Sequence, residues 1–89
     1  MASSIMQSEK KCFVTGDTYF LDKHHCFHGP RRNAAEKYGC WIWLRHDIHM
    51  ELHDRNKELD RTIERLCQAR FEDIYSHEEF MAIFGKSYL

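Results

Sequence analysis

Six of the seven histidines, His24, His25, His28, His46, His49 and His53, fall in one stretch, and the rest of the chain holds only His77. Imidazole nitrogens suit first-row divalent cations. Helix positions four apart share a face, so His49 and His53 can grip one ion, and His46 lies on the same side. His24 and His25 are adjacent, and neighbours in an extended segment point to opposite sides. They therefore divide two tasks: if His24 turns toward the ion, His25 faces a gap where a water and a phosphate fit. An imidazole titrates near neutrality, which suits a general base taking a proton from that water. A cation beside the phosphate would stabilise the charge that develops on the leaving group. The bland alternative is that His46, His49 and His53 are only the polar side of an amphipathic helix. Adding His24, His25 and a strand between the two groups favours a metal site. His28 reads as a loop residue near that site and His77 as a first-turn residue of the last helix.

Thirteen basic residues against fourteen acidic ones give a formal charge of -1. Any nucleic-acid binding must therefore be local rather than a property of the whole surface. Lys23, Arg31, Arg32, Lys37 and Arg45 make residues 23–45 basic, whereas residues 72–79 are acidic. Arg31 and Arg32 carry forked donors suited to phosphate, and with Lys23 and Arg45 they are the candidate contacts to DNA. Trp41 and Trp43 alternate on one side of their segment, where core packing is favoured over base stacking. Four cysteines, Cys12, Cys26, Cys40 and Cys67, stand behind an N-terminus with no basic-then-apolar leader. They read as buried or free thiols of a reduced, cytoplasmic protein, with Cys26 and Cys40 placed to meet. The longest apolar run, residues 40–44, is far too short to span a membrane.

These residues need elements to position them. Residues 1–10 are polar, small and without periodicity, and predict a flexible tail before a single domain over residues 11–89. Cys12-Phe13-Val14-Thr15 before Gly16-Asp17 predicts a short strand and turn, and Tyr19-Phe20-Leu21 a strand running toward His24. A short helix over residues 33–38 would end at Gly39, followed by the strand Trp41-Ile42-Trp43-Leu44. Ile48, Leu52, Leu59, Ile63 and Leu66 then recur at helical spacings, predicting one long helix, or one kinked near Asn56, that ends around Ile74. Ser76 with Glu79 is a capping box opening a last helix that Gly85 closes. The fold class is α+β, a short antiparallel hairpin packed on a long helix with a short C-terminal helix beside it. So short a chain buries little surface and needs a staple: a bound metal, a partner subunit in a dimer, or a docked helix.

The order His24-His25, loop, strand, then His49 and His53 on a helix resembles the HNH, or ββα-metal, endonuclease motif. Residues 12–88, in a chain ending FGKSYL, are similar to small HNH-type proteins encoded by bacteriophages and prophages. The resemblance implies a nuclease acting on DNA in a bacterial host cell, in phage DNA processing or recombination. It implies His24, His49 and His53 as ligands of one divalent cation, Mg2+ or Mn2+, and His25 as the base; three imidazoles also accept Zn2+ or Ni2+. There are departures. The family's usual asparagine before the second strand, which braces the turn and orients the base, falls on Cys40; Asn33 and Asn56 are not at its spacing. Two CxxC pairs of many relatives are missing, with Thr15, Arg45 and Ile48 in their places, so no structural four-cysteine zinc site is expected. These departures leave open a phage accessory protein of the same fold that grips nucleic acid or inhibits a host protein.

Overall fold

The aromatic and branched run Trp41–Arg45 forms a strand, β2, that pairs antiparallel with Leu21–His25, β1. The chain, described over residues 3–89 in a computed structural model, is α+β: this two-stranded sheet and four helices. His24 lies opposite Ile42 and Asp22 opposite Leu44. Directly opposed residues share a face, so Asp22 and His24 point to the side where Ile42 and Leu44 are fully buried. Lys23, His25, Trp41, Trp43 and Arg45 take the other face. Between the strands a 3-10 turn, Gly29–Arg31, runs into helix α1, Arg32–Lys37. Gly39 then reverses the chain at φ +73, tight against the Ser3 backbone where a Cβ would not fit.

Helix α2, His46–Asp54, starts directly from β2, and its first amide donates to the Phe20 carbonyl at 2.7 Å. The chain breaks at Arg55 and Asn56 before α3, Lys57–Ile74, where Asn56 Oδ1 accepts from the Leu59 amide at 3.1 Å. Neither helical arrangement expected, one long helix or one kinked near Asn56, is found: Asn56 opens a second helix that packs back on the first. Helix α4, His77–Phe84, is capped by Ser76 accepting from the Glu79 amide and ends at Gly85 with φ 74. Helix α2 packs on both strands, and α3 packs on α2 and α4. Phe27, just after β1, meets Phe84 at 4.7 Å, Tyr88 at 4.9 Å and Phe80 at 5.4 Å between ring centroids. That aromatic cluster joins the loop after β1 to the C-terminus. No helix is long and apolar enough to cross a membrane.

Three local expectations are corrected. Residues 12–15 form a turn rather than a strand: the Gly16 amide donates to Cys12 O at 2.8 Å and Gly16 sits at φ +80, which folds the segment back. The strand toward His24 begins at Leu21, not Tyr19, because Phe20 adopts a left-handed φ of 51. Residues 4–7, expected as part of a loose tail, lie along the edge of β2 away from β1, where the Phe13 amide also donates to Trp43 O at 2.8 Å. Ser4 Oγ donates to Trp41 O at 2.5 Å, and Gln7 Oε1 accepts from the Trp43 amide at 2.8 Å. They supply partners that a two-stranded sheet lacks. Trp41 and Trp43 thus lie under this segment and the ammonium groups of Lys10 and Lys23, outside the main core.

Replacing Phe27 by Ala removes the ring that ties the loop after β1 to α4 and the C-terminus. The expected loss is about 3–5 kcal/mol, seen as a lower urea midpoint for loss of helical circular dichroism. A loss under about 1 kcal/mol would contradict this account of the core.

Candidate metal centre

Strand β1 delivers His24 to the inner face of the sheet, and α2 places His49 and His53 one turn apart above it. One ligating nitrogen from each of the three lies within 4.8 Å of the others. The His24 ring centroid is 5.2 Å from that of His49 and 5.6 Å from that of His53. His24 Nε2 is buried and has no hydrogen-bond partner. Burial pulls the His24 pKa down to about 3, helped by repulsion from His49, His28, His53 and His25. His53 is lowered by partial burial and by His49. Neutral imidazoles are the form that binds cations.

Asp22, two residues before His24 on the same face, accepts from His49 Nδ1 at 2.9 Å and from His46 Nδ1 at 2.7 Å. Hydrogen bonding from His49 holds the Asp22 carboxyl below its ordinary range. An ionised carboxylate only accepts, so His49 carries its proton on Nδ1 and, when neutral, leaves Nε2 bare. That bare nitrogen lies 3.0 Å from His53 Nε2. The donor set therefore fits a divalent ion: a buried orphan nitrogen, an oriented lone pair and a third imidazole with its nitrogen adjacent. His46 shares Asp22 with His49 but does not join the group.

His25 faces away from His24 along the strand, yet both rings line one cleft of about 300 Å³ with His28, His49, His53 and Arg32. His25 Nε2 is 3.5 Å from Glu36 Oε2 on α1. Partial burial lowers the His25 pKa, with Glu36 opposing and Arg32 reinforcing that shift. Glu36 is held in its charged form by the Lys23 ammonium, 3.1 Å away.

Other site expectations are redrawn. Arg31 donates from Nε to Phe84 O at 2.9 Å, anchoring its loop to α4 rather than projecting as a phosphate clamp. Arg45 is paired with Asp47, at 2.6 Å, and with Asp17. Lys23 lines the cleft, though bonded to Glu36, and Arg32 is exposed at it. Cys40 does not turn its side chain to the site: it is buried, its thiol pushed up by Cys67 and by burial. It braces through its backbone instead, accepting from the Cys26 amide at 2.9 Å and so extending the strand pairing one residue past His25. His28 Nε2 lies 2.8 Å from Asp60 Oδ1 on α3.

Asp22, Glu36 and Asp60 were not singled out by the sequence. Strand alternation alone places Asp22 on the His24 face, so that residue had a signal. Glu36 and Asp60 had none, because loop and helix packing bring them in. Replacing Asp22 by Ala should free the His49 ring and weaken divalent-ion binding about 10–100-fold, read by calorimetric titration with Zn2+. Unchanged affinity would show that His49 needs no such support.

No family model, curated protein or solved structure matches the chain.

Proposed function

We propose that this chain is a metal-dependent nuclease of the HNH, ββα-metal type that hydrolyses DNA phosphodiesters, and that β1, β2 and α2 form its ββα-metal core. The observation that carries this reading is the meeting of His24, His49 and His53 beside a cleft that also holds His25. These three would hold the cation, Mg2+ or Mn2+ in use and Zn2+ or Ni2+ as alternatives, and it would stabilise charge on the scissile phosphate and its leaving oxygen. His25 is the base. With Glu36 facing its Nε2, Nδ1 is the nitrogen left to accept a proton from the attacking water, and the Glu36 carboxylate stabilises the imidazolium that results. Arg32, exposed at the cleft, is the cation best placed to hold a phosphate oxygen in position.

A second reading, a catalytically inactive protein of the same fold that binds nucleic acid or a host or phage protein, draws support from one observation. Three of the four expected cationic contacts, Arg31, Arg45 and Lys23, are engaged internally. Supercoiled plasmid with Mg2+ or Mn2+ separates the readings. The nuclease reading expects nicking, with His25→Ala reducing turnover about 10²–10⁴-fold while ion affinity stays within a few-fold. Absence of cleavage by the wild type with Mg2+, Mn2+, Zn2+ and Ni2+ in turn would leave the binding reading in its place.

A further inference from the structure

Beside the cleft stand more ligating atoms than three histidines provide. Asp60 Oδ1 is 3.9 Å from His24 Nε2 and 2.8 Å from His28 Nε2, and His24, His28 and Asp60 form a second group whose ligating atoms all lie within 4.8 Å of one another. His24 is thus common to two triads. Its Nε2, on a side chain 1% exposed, has no hydrogen-bond partner, and Asp60 Oδ1 is too distant to become one. Asp60 sits in the first turn of α3 with its side chain 18% exposed, and among the described residues its ion-pair partners are His24 and His28, not a lysine or arginine. A carboxylate half-withdrawn from water among imidazoles, beside a buried nitrogen lacking a partner, is an arrangement that a cation would complete. Two ligands with bonds of about 2.1 Å to one ion lie up to about 4.2 Å apart, so Asp60 and His24 can share an ion at their 3.9 Å separation, whereas Asp60 does not form one group with all three histidines within 4.8 Å and its side chain must swing toward His49 and His53 to join them.

We propose that Asp60 is a further ligand of the ion held by His24, His49 and His53, carried in by α3 and held in place by His28. The proposal rests on the three-histidine centre described above and adds a charged oxygen to it. Three imidazoles favour zinc and nickel, whereas a carboxylate suits manganese and magnesium. Asp60 therefore shifts the ion preference of the centre toward the harder cations. The same bond ties the start of α3 to β1, which makes the ion a staple between parts of the fold that are far apart in sequence.

The test is titration of the full chain with Mn2+ and with Zn2+, in the wild type, Asp60→Asn and His49→Ala, with circular dichroism to verify folding. The wild type is expected to bind one ion. In Asp60→Asn the Mn2+ dissociation constant should rise at least tenfold, and by a larger factor than that for Zn2+. His49→Ala should weaken both ions strongly. Equal Mn2+ affinity in wild type and Asp60→Asn, with His49→Ala still impaired, overturns the role of Asp60 and leaves the three-histidine centre intact. A wild type that takes up neither ion overturns both. Should Asp60→Asn fail to fold, Asp60→Glu keeps the carboxylate on a longer stem. It is then expected to retain the wild-type order of Mn2+ over Zn2+ response better than Asp60→Ala, and equal behaviour of the two counts against the proposal.

Discussion

The imidazole of His24 is buried with one nitrogen unpaired, and the site is arranged around that constraint. An unsatisfied buried polar atom costs about 1–3 kcal/mol, a sizeable share of the about 5–15 kcal/mol that stabilises an ordinary domain. The strand register leaves His24 no other place to go. It lies opposite Ile42 on the face where Ile42 and Leu44 are wholly buried, so turning it outward would require slipping the whole strand by one residue. On the reading proposed above, a cation that binds only the folded chain removes the deficit and adds its own binding free energy to folding.

Elements far from the cleft serve it by fixing its walls. The loop after β1 carries His28 and leads into Arg32 at the start of α1, and it is held through Phe27 against Phe80, Phe84 and Tyr88 and through Arg31 to the Phe84 carbonyl. The C-terminal helix thus positions groups more than fifty residues earlier in the chain, as the Arg31 to Phe84 separation of 53 shows. The break at Asn56 has the matching effect on the opposite wall. It ends α2 just past His53 and restarts the chain as α3, whose first turn brings Asp60 beside His28. Asp22 and Glu36 complete the arrangement, one orienting His49 and the other facing His25.

What could be read from the sequence follows short-range geometry. Helical spacing pairs His49 with His53, strand alternation separates His24 from His25, and Asn56, Ser76 and Gly85 mark helix ends through local hydrogen bonding and backbone preference. Tertiary partners carry no such periodic mark. Residues 12–15 look like a strand by composition, but Gly16 bends them into a turn, and Ser4 and Gln7 look like tail residues until β2 is seen to need edge partners. Arg31 and Arg45 look free for phosphate by type; a helix-end carbonyl and two aspartates engage them. Cys40 falls where an asparagine was expected, and only the strand register reveals that its backbone, not its side chain, secures the turn.

Crystals grown with Mn2+ or Zn2+, measured at wavelengths on either side of the absorption edge of the ion, test the centre most directly. One anomalous peak bonded to His24 Nε2 and to nitrogens of His49 and His53, at about 2.1 Å for Zn2+, is the expected result. A peak elsewhere on the surface, or none with His24 Nε2 still unpaired, would contradict a centre built around that buried ring.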